Sequence, residues 1–151
     1  MPRFSPDLVI DADNAVAGRL ASSVAKELLK GRKVLVVNAD AAVVSGNPKW
    51  VKDQFLQKIH RGDPYHGPFY PKQPERILRR IVWGMLPRKP RGKAALARLR
   101  VQCGPAGTAL KIRAAENTLE TKTTTLAAIS QHIGGRGARL TAPVAGKEGK
   151  K

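Results

Sequence analysis

Between Arg61 and Arg113 the chain carries 13 Lys or Arg residues and two carboxylates, Asp63 and Glu75. That composition suits one chemistry above others, the binding of phosphate. Arginine presents a planar fork of donors that matches two phosphate oxygens at once, and lysine adds a point charge. The stretch Tyr65-His66-Gly67-Pro68-Phe69-Tyr70-Pro71-Lys72 interleaves rings with that charge. Aromatic and imidazole rings can stack on exposed RNA bases. Gly84 and Gly92 would allow a phosphate strand to approach the backbone. The competing readings are core packing for Phe69, Tyr70 and Trp83, and a solvated helix face for the arginines. The second is weakened by the shortage of acidic partners in the same segment.

The other candidates for chemistry are weaker. Asp11, Asp13 and Asp40 could gather at strand ends as an acid–base or metal site, but helix capping and loop hydrogen bonds account for them more simply. Ser45-Gly46 lacks the flanking residues of a nucleophile elbow. The first strand-to-helix loop carries one glycine, Gly18, and no glycine-rich phosphate-binding pattern; Gly18 is expected to be a close helix-packing contact. Cys103 stands alone, and His60, His66 and His132 do not combine with it in a zinc spacing. Neither a catalytic group nor a metal, cofactor or small-molecule substrate is expected.

Across all 151 residues, 28 basic against 11 acidic side chains leave a net charge of +17 and a pI near 10.9. Residues 1–60 hold 9 basic and 6 acidic groups, and residues 114–151 hold 6 and 3, so the excess sits in the middle. Self-repulsion on this scale opposes folding, and a polyanionic partner explains it better than solubility does. The longest aliphatic run, Val34–Val37, is far short of a membrane span. The N-terminus does not read as a secretory signal, and a lone cysteine fits a reducing, cytoplasmic setting.

The elements that must hold the basic segment can be read from periodicity. Leu8-Val9-Ile10 fits a short buried strand. Val16, Leu20, Val24 and Leu28 recur at helical spacing, with Asp13 or Asn14 as the expected cap and Gly31 as the stop. Val34–Val37 then reads as a strand buried on both faces, giving a right-handed βαβ unit with parallel strands. Asn47-Pro48 opens a second helix along Val51, Phe55 and Ile59. A third follows Pro74, with Ile77, Leu78, Ile81, Val82 and Met85 inward and Arg76, Arg79, Arg80 and Trp83 in another direction. A short helix over Lys93–Leu99, a strand over Arg100–Cys103, and a helix Leu126–His132 capped by Thr125 complete the reading. Seven of the eleven prolines fall in 61–113, which predicts a stiff excursion with short helices. The lysine- and glycine-rich end from Thr141 reads as a flexible tail.

DNA is a poorer partner than RNA, since no helix-turn-helix, basic zipper or zinc finger is visible. There is also no RRM or KH signature, so the chain looks suited to a folded RNA surface rather than to reading a sequence.

In order and spacing, several short stretches are similar to one family. They are Val9-Ile10-Asp11-Ala12, Gly18-Arg19-Leu20-Ala21-Ser22, Val36-Val37-Asn38-Ala39, Phe69, Pro74-Glu75-Arg76-Ile77 and Gly84-Met85-Leu86-Pro87, with Arg88-Lys89 and Arg91-Gly92 after them. The chain resembles the universal large-subunit ribosomal protein thirteen family in its archaeal and eukaryotic form, over about residues 7–135. The resemblance implies a three-layer α/β/α fold on a four-stranded, mostly parallel sheet. It implies a non-catalytic constituent of the large ribosomal subunit in the cytoplasm, bound to large-subunit rRNA, beside other ribosomal proteins, and active in early subunit assembly. Charge then assigns rRNA contacts to Arg61, Lys72, Arg76, Arg79, Arg80, Arg88, Lys89, Arg91, Lys93 and Arg98. Arg19 falls in a family motif and serves either RNA or the fold. Residues 1–140 are expected to form one domain, with a basic excursion at about 61–100 and a tail at 141–151. Gly134-Gly135-Arg136-Gly137-Ala138-Arg139 reads equally as an RNA-binding arm or a linker. The alternative function is an RNA chaperone or translational regulator outside the ribosome.

Overall fold

The computed structural model describes residues 4–105, 109–112 and 115–135. It has the three-layer α/β architecture expected, built on a four-stranded sheet in the order β4-β2-β1-β5 with every pairing parallel. The strands are β1 (Leu8–Asp11), β2 (Val34–Val37), β4 (Leu99–Val101) and the short edge strand β5 (Leu110–Lys111). A second, two-stranded antiparallel sheet pairs β3 (Val43–Ser45) with β6 (Thr123–Thr125). The sequence reading does not anticipate this pair, because Ala41–Val44 is too short to show a period and its partner is three threonines.

The first βαβ unit forms as expected. Helix α1 (Ala17–Leu29) buries Leu20, Val24 and Leu28 with Ala17, Ala21 and Ala25, and Gly31 follows its end with φ +97°. Its start differs from expectation. Val16 is the N-cap and no side chain caps it. Asp13 and Asn14 are taken up by the preceding turn, where Ala15 N–H donates to the Ala12 carbonyl at 3.1 Å and Asn14 adopts φ +51°. Gly18 is also not a packing contact: it is exposed, and a Cβ there would meet nothing within 4 Å.

Prolines start helices here more than they interrupt them. Pro48, Pro74 and Pro90 are the first residues of α2 (Pro48–His60), α3 (Pro74–Met85) and α4 (Pro90–Ala97). A residue at that position has no intrahelical partner for its N–H, and proline has none to lose. This is why α4 begins at Pro90 rather than at Lys93, and why β4 starts at Leu99. Asn47 caps α2 as expected, accepting from Lys49 N–H at 3.1 Å. Thr125 caps α5 (Leu126–His132) through Ala128 N–H at 3.3 Å. Helix α3 buries Ile77, Leu78 and Val82 but leaves Met85 exposed.

Gly92 is buried in α4, and a Cβ there would overlap the Pro87 carbonyl oxygen. Its role is internal closure of the α3–α4 turn, not the approach to a phosphate strand expected from sequence. Gly84 is exposed on α3 with nothing within 4 Å. Gly92→Ala is therefore expected to destabilise by about 1–3 kcal/mol, as overpacking does. Gly84→Ala, in a helix with free space, is expected to stabilise by about 0.5–1 kcal/mol. Urea denaturation of the two variants checks the pair; equal effects would contradict the assigned contacts.

The Cys103 thiol donates to Glu75 Oε2 at 3.0 Å, tying the end of β4 to the first turn of α3. Burial, then the Glu75 carboxylate, pushes the thiol up to about 12 from an ordinary 9.0. The folded chain thus keeps a proton that the unfolded chain releases, so this contribution to stability is intact below pH 9 and fades from pH 9 to 12. The thiolate is the nucleophile. Alkylation of Cys103 at pH 8 is expected to be at least tenfold slower in the native protein than in urea, measured by mass spectrometry.

Candidate nucleic-acid interface

The carboxyl ends of the parallel strands are the usual ligand crevice of an α/β sheet. Here that end is occupied by acidic groups and their own partners. Asp11 Oδ1 accepts from Asp13 N–H at 2.9 Å and from the Asn38 amide at 2.8 Å. Lys111 approaches Asp13 at 3.4 Å and Asp11 at 3.9 Å. Asp40 accepts from Gly104 N–H at 3.4 Å. Carboxylates held this way repel a phosphate, and the loop bonds expected of these aspartates are present. Among the described residues, no group of three or more His, Cys, Asp and Glu side chains could hold a metal ion.

The basic segment is arranged differently. Its two carboxylates are both committed inside the protein. Asp63 accepts from Tyr65 N–H at 2.8 Å and lies 3.3 Å from His66 Nδ1, while Glu75 takes the Cys103 thiol. Among the described residues, none of the ten sequence-assigned cations forms an ion pair. The pairs found are Glu27 with Lys30 and Arg32, and Lys111 with Asp11 and Asp13, and Asp63 has the imidazole of His66 beside it.

The structure divides those ten into groups. Arg61, Lys72, Arg76 and Arg80 converge around the loop that joins α2 to α3. Arg61 and Arg80 line one cleft with Pro68 and Tyr70, and Lys72 and Arg76 line another with Phe69. The Arg80 guanidinium lies 4.8 Å from the centre of the Tyr70 ring. Arg88, Lys89, Arg91 and Lys93 are exposed on the α3–α4 turn and the first turn of α4. Arg91 Nη2 stands 3.5 Å from the Leu29 carbonyl at the end of α1. Arg79 and Arg98 are half-buried. Arg79 donates to the Leu96 carbonyl at 3.4 Å, and Arg98 is the C-cap of α4. These two hold α4 in place at least as much as they face outward.

The aromatic residues separate as well. Tyr70 is half-buried, edge-on to Phe55 with ring centres 5.9 Å apart, and its burial pushes its hydroxyl pKa up. Trp83 is half-buried, whereas Phe69 and Tyr65 are exposed. Sequence reasoning missed Lys58, whose ammonium lies 4.7 Å from the Phe55 ring centre and 5.9 Å from that of Tyr70. The signal was its place one helical turn after Phe55, on the same side of α2. Arg19 is exposed on α1, with its carbonyl accepting from the hydroxyls of Ser22 and Ser23. A cleft of about 400 Å³ beside Val43, Trp50 and Phe55 is lined without any carboxylate or histidine. Of the arm expected over Gly134–Arg139, residues 136–139 lie outside the described residues, as does the tail at 141–151.

Comparison with known proteins adds an independent line. The family model for ribosomal protein L13 matches residues 7–106. The protein from Methanopyrus kandleri called large ribosomal subunit protein uL13 is 55% identical over 97 residues, 64% of this chain and 61% of that one. Proteins of the same name from Methanocaldococcus jannaschii and Methanococcus maripaludis are 37% and 39% identical over 134 and 137 residues. Both of those alignments span 85% of this chain and 98% of the relative. This chain therefore belongs to the ribosomal protein L13 family.

Proposed function

We propose that this protein is a structural, non-catalytic constituent of the large ribosomal subunit in the cytoplasm that binds and stabilises large-subunit rRNA and assists early subunit assembly. Family membership supports the ribosomal role, and the relatives carry the large subunit in their names. The observation that carries the RNA reading is the set of unpaired cations. Ten Lys and Arg side chains lie on one sequence segment, none in an ion pair among the described residues, with both local carboxylates engaged elsewhere. A protein surface gains nothing from this; a phosphate backbone supplies the missing charge.

The mechanism is neutralisation on a rigid mount. The apolar stripes of α1 and α3 fix the outward side of α3, and Pro90 and Gly92 fix the turn that presents Arg88, Lys89 and Arg91. Preset backbone reduces the ordering entropy lost on binding. Cations fixed in this way offset the repulsion between phosphates as rRNA helices close on one another during assembly. Residues 1–140 act as one such unit, with 61–100 as its RNA-facing part and 141–151 as a basic tail. Neighbouring ribosomal proteins complete its surroundings, and Arg61, Lys72, Arg76, Arg79, Arg80, Arg88, Lys89, Arg91, Lys93 and Arg98 are its contacts.

The joint substitution of Arg88, Lys89 and Arg91 by Ala is expected to weaken rRNA-fragment binding at least tenfold with the circular dichroism spectrum unchanged. Unaltered affinity would move the interface to another face. If six to ten phosphates are engaged, affinity of the unmodified protein should fall about a thousandfold or more between 50 and 200 mM salt. Filter binding across that range measures the slope, and a flat response would contradict phosphate neutralisation. In lysates, the chain is expected to co-sediment with the large subunit on sucrose gradients through moderate salt.

A further inference from the structure

The loop between α2 and α3 holds a feature that charge neutralisation does not require. Phe69 is 71% exposed, although it is an apolar ring next to a core aromatic. It lines a cleft of about 510 Å³ with Lys72, Gln73 and Arg76. It also lines a second cleft of about 310 Å³ with Arg61, Lys72 and Asp63, whose carboxylate is taken by Tyr65 N–H and His66. The residue is the wall the two clefts share, and each side carries cations. Both are open clefts, wide enough for a base to lie against the ring.

The ring is held in advance. A Cβ on Gly67 would lie 3.1 Å and 3.2 Å from Phe69 Cδ2 and Cε2, so the ring seats directly over the bare Gly67 backbone, whose φ is +77°. The loop is clasped by reciprocal bonds between Asp63 and Gly67, at 2.9 and 3.3 Å. Gly62 has φ +101°, and a Cβ there would overlap the Gly67 carbonyl. Beyond Phe69 the chain is anchored twice. Tyr70 packs on Phe55, and the Lys72 carbonyl accepts from the buried Ser130 hydroxyl at 2.6 Å. An exposed ring on so fixed a mount is arranged for a partner with a flat apolar face. The surrounding Arg61, Lys72 and Arg76 require that partner to be anionic.

We propose that Phe69 is a stacking platform for an unpaired nucleotide of the bound RNA, whose flanking phosphates are taken by Arg61, Lys72 and Arg76. A paired base cannot reach the ring, so the site reads single-stranded or bulged RNA and tolerates any base. The proposal rests on the RNA-binding reading above and adds to it a strand state and a residue.

The test uses the full-length protein with two fluorescent RNA probes, a stem-loop with one bulged adenosine and the same stem fully paired, measured by fluorescence anisotropy at constant salt. Phe69→Ala is expected to weaken binding of the bulged probe about 5- to 150-fold, to leave the paired probe unchanged, and to keep the same salt slope. Phe69→Trp is expected to retain the preference and to show indole quenching, above that of the wild type, on adding the bulged probe. Phe69→Ala affinities equal to wild type on both probes would overturn the proposal, as would equal losses on both; the first outcome would point to a neighbouring protein as the occupant of the ring. Salt-sensitive binding with no role for Phe69 overturns the platform alone. Absence of salt-sensitive binding to either probe overturns the RNA reading and the platform with it.

Discussion

The contact between the apolar faces of α1 and α3 is the constraint on which the rest depends. Leu20, Val24 and Leu28 on one side and Ile77, Leu78 and Val82 on the other are all buried in a single core cluster. Burial of each such side chain contributes about 1.5–3 kcal/mol. Helix α3 also carries Arg76, Arg79 and Arg80, which repel one another and their neighbours on the following turn. The helix can hold those charges together only because its reverse side is committed to the core.

The placement of acidic groups follows the same logic. A basic surface stays available to phosphate only if local carboxylates do not neutralise it. Asp63 is bonded within its own loop, and Glu75 accepts a hydrogen bond from the Cys103 thiol rather than pairing with Arg76 or Arg79. The acidic cluster around Asp11 and Asp13 sits at the carboxyl end of the sheet, with Lys111 as counter-ion. The strand ends are closed by hydrogen bonds, and the exposed members of the sequence-assigned cations, without an ion pair among the described residues, lie on the α2–α3 loop, on α3, on the α3–α4 turn and on the first turn of α4.

Much of this was legible in the sequence because two signals dominate it. Helical spacing of Leu20, Val24 and Leu28 and the β-branched run Val34–Val37 define the βαβ unit, since burial at fixed spacing has few other solutions. The charge imbalance of residues 61–113 marks the basic segment. What the sequence hid were contacts set by tertiary context. Gly18 and Gly92 look alike as letters, yet one faces open space and the other touches the Pro87 carbonyl. Asp13 and Asn14 have capping chemistry, but the turn before α1 consumes them. The three threonines of β6 carry no hydrophobic alternation, so their pairing with β3 had no local signal. Nor could composition divide the arginines into those that face outward and those, like Arg79 and Arg98, that help hold α4 in place.

Phe69 and Tyr70, neighbours in sequence, divide between solvent and core contact. Adjacent aromatics on an extended segment point to opposite sides, so one is buried when the other is not. Tyr70 packs half-buried against the core, with Arg80 and Lys58 over its ring. Phe69 is left in solvent, where an apolar side chain of that size is a net cost unless something covers it. Ordinary exposed apolar residues need no explanation, but this one is seated on a glycine, clasped by a closed loop and flanked by cations. Rigidity without a partner would waste conformational entropy. The combination becomes intelligible when the loop is regarded as prepared for a planar, anionic ligand before that ligand arrives.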